Sequence, residues 1–122
     1  MCWKQLAIIT ATFLVLDGIY FTINNSFFKK TIQTIQKVPI KPNYVGVVLA
    51  YVFLVAIEYY FVIMKNLKAK DAFFLGMGIY GVYEFTNFAT LINWPLSLVI
   101  IDTLWGGILF ASATCMIRYV VK

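Results

Sequence analysis

Apolar residues gather along the chain in four long blocks, at about 5–28, 44–64, 72–91 and 96–117, separated by short polar stretches. Each block is close to the roughly 20 residues that a helix needs to cross about 30 Å of hydrocarbon. A helix satisfies every backbone N–H and C=O within its own segment, so it is the open-ended structure that lipid tolerates. The pattern predicts an all-α integral membrane four-helix bundle, a single four-span domain over residues 1–122 with no internal repeat.

The connectors differ in character. "KKTIQTIQKVPIKPN" places Ile32 and Ile35 three apart among lysines, which predicts a short interfacial helix between spans 1 and 2, ended near Pro39 and Pro42. "KNLKAKD" reads as a short basic turn. "INWP" reads as a tight uncharged one, with Trp94 suited to the headgroup zone and Pro95 to the first turn of the last helix. Lys4 followed by an apolar run also fits a secretory signal. However, Asp17-Gly18-Ile19-Tyr20 offers no small-x-small cleavage site, so the first block is read as a retained helix.

Composition agrees. The chain is 62% hydrophobic and 12% charged, with a mean hydropathy of +0.86. A soluble domain carries about 25% charged residues, and a chain this small could not hide so much apolar surface in its own core. The net charge of +5 does not indicate nucleic acid, because the basic residues sit in short clusters between apolar blocks, where lysines meet lipid headgroups. Lys4, Lys65, Lys68, Lys70, Arg118 and Lys122 fall on one side and Lys29, Lys30, Lys37 and Lys41 on the other. That bias puts both termini in the cytoplasm. Cys2 and Cys115, with no histidine in the chain, exclude a Cys/His zinc site and a disulfide framework. Both read as small apolar residues, although Cys2 could accept a lipid. Ser26, Ser97 and Ser112 lack a histidine partner, which excludes a serine-hydrolase triad. No metal or cofactor is expected.

The acids change the picture. Asp71 lies in the basic turn, but Asp17, Glu58, Glu84 and Asp102 fall inside the apolar blocks, where each costs at least about 2.5 kcal/mol on insertion scales. Counted from Asn93 at the tip of the last hairpin, Glu84 and Asp102 both lie roughly 13 Å deep at 1.5 Å per residue. Asp17, counted from Phe28, lies roughly 16 Å deep on the same side. Three acids on three helices thus share one layer. Glu58 is expected nearer the opposite surface, within reach of water, and outside this cluster. Tyr80, Tyr83, Glu84 and Asn87 share one helix face, with Thr86 and Thr90 on an adjoining stripe. Trp105 and Gly106 follow Asp102, and Asp17, Tyr20 and Asn24 align on the first helix. The candidate polar site is therefore Asp17, Tyr80, Tyr83, Glu84, Thr86, Asn87, Asp102 and Trp105. Its acids are tolerable if protonated, hydrogen-bonded or holding something positive. Gly76, Gly78, Gly81, Gly106 and Gly107 are expected to permit close helix contact.

The stretch "YGVYEFTNFATLINWPLSLVIIDTLWG" closely resembles the signature of a membrane protein family, domain of unknown function 2177: Y-x-x-Y-D-L-T-N-x-A-T-L-x-x-W-P followed by D-x-x-W-G. Tyr80, Tyr83, Thr86, Asn87, Ala89, Thr90, Leu91, Trp94, Pro95, Asp102, Trp105 and Gly106 match, and Asp17 matches a first-helix acid of the family. Glu84 stands where the family has Asp, which keeps the carboxyl but makes a tight metal geometry doubtful. The resemblance implies a four-span membrane protein and supplies no activity. It hints at lipid chemistry, because relatives look like companions of lipid-modifying enzymes.

Three functions are consistent with these residues. The first is a polar intramembrane carboxylate site, built on Asp17, Glu84, Asn87 and Asp102, that binds a proton, a cation or part of a lipid headgroup. If it is enzymatic, acid/base chemistry on a lipid is the reaction the acids permit. The second is a structural membrane or envelope protein whose acids only lock the helices. The third is a small transporter or channel component. Expected partners are membrane lipids, with a second copy or another membrane protein, and no nucleic acid.

Overall fold

A computed structural model describes residues 3–37 and 43–120. Five helices make up these residues: α1 Trp3–Ile23, α2 Asn25–Gln36, α3 Tyr44–Ile57, α4 Ala69–Thr90 and α5 Leu96–Val120. A π-helical segment, Glu58–Ile63, continues α3 without a break. Among the described residues there is no strand. Cys2, the expected helix stop at Pro39 and Pro42, and the charges Lys41 and Lys122 lie outside the described residues.

Three helices are long and apolar enough to cross a membrane: Trp3–Ile23, Tyr44–Ile63 and Leu96–Val120. The expected third span, α4, is equally long at 22 residues. It falls short in apolarity because Glu84, Thr86 and Asn87 interrupt its second half. The first span is shorter than expected, ending at Ile23 instead of Phe28. The interruption falls at Asn24, whose amide nitrogen donates to the Tyr20 carbonyl at 2.9 Å beside its own backbone N–H and whose backbone departs from helical geometry at φ −100, ψ 14. The chain turns there and Asn25 begins α2.

α2 has the expected amphipathic pattern, with Lys29 and Lys30 exposed on its polar face. Its apolar residues Phe27, Phe28, Ile32 and Ile35 pack on Trp94, Leu98 and Val99, covering the α4–α5 turn. The apolar face is therefore occupied by protein.

The α4/α5 hairpin is the most extensive helix pair, and α1 packs chiefly on α5. Asn93 takes the left-handed conformation in the turn, at φ 68, which asparagine tolerates better than most residues. The hairpin is tight because glycines meet where the helices cross. A Cβ on Gly76 would lie 2.1 Å from the Gly106 carbonyl oxygen, and one on Gly106 would lie 2.4 Å from the Tyr80 ring. Gly107 faces Phe73 and Met77 equally closely, whereas Gly78 faces open space and Gly81 makes only ordinary contact with Thr103. Small residues of this kind let membrane helices approach closely. Toward the chain ends of this layer, Ile9 and Phe13 of α1 pack against Leu109, Phe110, Ala113 and Ile117 of α5, with Phe13 and Phe110 stacked at 5.2 Å.

Candidate functional site

Three of the predicted acids meet at the other end of this core. Asp17 comes from the middle of α1, Glu84 from the second half of α4 and Asp102 from the second turn of α5. All three are buried, Glu84 to the point of 1% exposure.

Each acid holds a hydrogen bond from another part of the fold. The Asp17 carboxylate accepts the Trp105 indole N–H at 2.7 Å and, on its other oxygen, the Tyr51 hydroxyl from α3. Asp102 accepts the Tyr20 hydroxyl at 3.0 Å. Glu84 accepts the Trp94 indole N–H at 2.9 Å, and its carboxyl lies against that of Asp102. Tyr20 stacks flat on Trp105, with ring centroids 4.5 Å apart and planes 3° from parallel. The stack connects the Asp17 half of the network to the Asp102–Glu84 half. Every one of these four donors is uncharged, so the cluster keeps its acids without a basic partner among the described residues.

A cavity of about 470 Å³ opens beside the network. Asp17, Glu84 and Asp102 all reach it, together with Trp94 and Trp105. The rest of its wall is largely apolar and comes from α2, α3 and α4, including Phe28, Ile32, Phe53, Leu54 and Ile79. The cavity thus has three acids in a wall that is otherwise mostly apolar.

The remaining predicted residues separate. Tyr80 lines the cavity and packs on Gly106. Tyr83 also borders it but is 59% exposed. Thr86 faces outward, offering only its carbonyl to the Thr90 hydroxyl, and Asn87 is half-buried and away from the cavity wall. The α4 stripe is therefore narrower than spacing suggested: at 100° per residue Asn87 stands about 60° and Tyr83 about 100° from Glu84, both on the same side of it, so the stripe runs off the buried face.

Trp94, expected in the headgroup zone, is only 8% exposed because α2 covers it and Glu84 accepts its N–H. One expectation is corrected. Glu58, expected to reach water, is 0% exposed. It opens the π-helical segment, whose wider turn aims the carboxyl inward toward the Thr114 hydroxyl, 3.1 and 3.2 Å from its two oxygens. Tyr51 was not anticipated at all. Its signal was a hydroxyl in the middle of an otherwise apolar block, which needs an acceptor when it is removed from water.

Fold and site together define an all-helical membrane protein with carboxyl groups gathered between its helices. Residues 2–119 match the family described as predicted membrane protein, domain of unknown function 2177, and the chain belongs to that family. No curated protein and no solved structure matches it.

Proposed function

We propose that α1, α3 with its π-helical extension, α4 and α5 each cross the bilayer, and that the carboxylate cavity receives the head of a membrane amphiphile. A 22-residue helix is about 33 Å long at 1.5 Å per residue, enough to span hydrocarbon, and Glu84, the acid in its apolar stretch, is buried and lines the cavity. With four crossings both termini share one side, and the lysines and arginine there make it the cytoplasmic side.

The observation that carries the reading is the cavity itself: three acids in a wall that is otherwise mostly apolar, with no basic residue among its lining. Such a site favours a head that is positive or rich in hydrogen-bond donors, and disfavours a bare anion. The apolar wall suits an alkyl chain.

A structural reading rests on a different observation, that each acid already holds a donor from another helix. On that reading the acids only fasten helices together, at about 0.6–2 kcal/mol per bond. The two readings diverge in one experiment. Native mass spectrometry of protein extracted in mild detergent is expected to show an amphiphile retained by the wild type and lost from Asp102→Asn and from Glu84→Gln, with both variants still folded. If the variants retain the same lipids as the wild type and differ only in thermal stability, the structural reading is correct.

A further inference from the structure

α3 is held very differently at its two ends. Its α-helical part, Tyr44–Ile57, has no fully buried residue and its backbone comes close only to α1, although Tyr51, Leu54, Val55 and Ile57 are half-buried against the core. The π-helical part that follows has Glu58, Tyr59, Val62 and Ile63 buried, and its backbone lies close to α1, α4 and α5. The π-helical end is thus set into the core, while the rest of the helix leans on it along one half-buried face. Among the described residues, the one cross-helix side-chain hydrogen bond made by α3 is from Tyr51 to Asp17. That same helix supplies one wall of the cavity: Ala50, Phe53, Leu54 and Ile57 lie across the slot from Ile79 and Tyr83 of α4.

We infer that α3 is a lateral gate on the carboxylate cavity, latched by the Tyr51–Asp17 hydrogen bond and hinged at the π-helical segment. An amphiphile reaches the acids sideways from the bilayer when the latch opens. The hinge lies where the helix changes its hydrogen-bonding register, a feature that recurs at functional sites and at bends. The latch sits on an acid of the site, so a ligand head that donates to Asp17 competes with Tyr51 for the same oxygen. Moving α3 gives up the half-buried contacts of Tyr51, Leu54, Val55 and Ile57 with the core, but no residue of its α-helical part is fully buried. The occupant named here rests on the proposed headgroup site. The gate itself does not, and the experiment separates the two.

Trp94 and Trp105 both face the cavity, whereas Trp3 is exposed at the start of α1. In a Trp3→Phe background, quenching of tryptophan fluorescence by phospholipid brominated in its acyl chains reports chains entering the slot. With the protein reconstituted in bilayers of that lipid, Tyr51→Phe is expected to raise quenching, because losing one hydrogen bond shifts the open-to-closed ratio roughly fivefold. Ala50→Phe, which fills the slot while leaving the latch intact, is expected to lower quenching below the wild-type level. Quenching by wild-type and Tyr51→Phe protein to the same extent overturns the gate. Should Tyr51→Phe fail to fold, unchanged quenching in Ala50→Phe overturns it equally. If Asp102→Asn retains the wild-type lipids while Tyr51→Phe still raises quenching, the headgroup reading falls and the gate stands.

Discussion

Replacing Gly76 with alanine is expected to disrupt the α4/α5 hairpin, whereas the same change at Gly78, two residues along the helix, is expected to leave it intact. The difference lies in what the new methyl group meets. At Gly76 it would fall 2.1 Å from the Gly106 carbonyl oxygen and 2.8 Å from its carbonyl carbon, both backbone atoms of a helix that cannot yield locally. Overpacking of this kind costs about 1–3 kcal/mol when side chains can absorb it, and a collision with backbone belongs at or above the top of that range. At Gly78 nothing lies within 4 Å. Thermal unfolding in a mild detergent, followed by far-ultraviolet circular dichroism, should place Gly76→Ala well below the wild type and Gly78→Ala beside it. The consequence reaches the site, because Glu84 and Asp102 face each other only while these two helices stay in register.

Asp17→Leu is expected to be the second severe change, at about 2–4 kcal/mol. It strands the Trp105 indole N–H and the Tyr51 hydroxyl together, and an unsatisfied donor in a low-dielectric setting loses its whole solvation. Asp17→Asn should cost under about 1 kcal/mol, for a specific reason of donor chemistry. The indole can only donate, so the amide oxygen must turn toward Trp105. The tyrosine hydroxyl can also accept, so the amide nitrogen can donate to Tyr51. The same unfolding assay checks both. A leucine variant as stable as the asparagine variant would show that the two donors find other partners.

The parts of this molecule that were legible in the sequence depend on regular helices. Rise per residue is constant, so counting from Asn93 brings Glu84 and Asp102 to one depth, and they do lie side by side. Spacing of small residues is equally transferable, and Gly76, Gly106 and Gly107 meet at the crossing. Irregular elements broke the inference. α1 is interrupted at Asn24, where the side-chain amide donates back to the Tyr20 carbonyl, a feature that no count of apolar residues contains. Glu58 was placed by depth alone, and a depth count does not say which face a residue takes, so an acid expected to reach water is fully enclosed at the start of the π-helical segment. The burial of Trp94 was not legible because the residues of α2 that close over it lie some sixty positions away in the chain. Tyr51 escaped notice because its partner, Asp17, lies on another helix, and pairings between helices leave no local pattern.

The most direct test of the carboxylate cavity is reaction with a lipid-soluble carbodiimide, which attacks carboxylic acids from within the bilayer, followed by peptide mass spectrometry. A cavity reached from the hydrocarbon phase predicts adducts on Asp17, Glu84 or Asp102, while the enclosed Glu58 stays unmodified and Asp71 reacts with a water-soluble carbodiimide instead. If the lipid-soluble reagent leaves all three cavity acids untouched, or if only the water-soluble reagent reaches them, they do not share a pocket open to lipid.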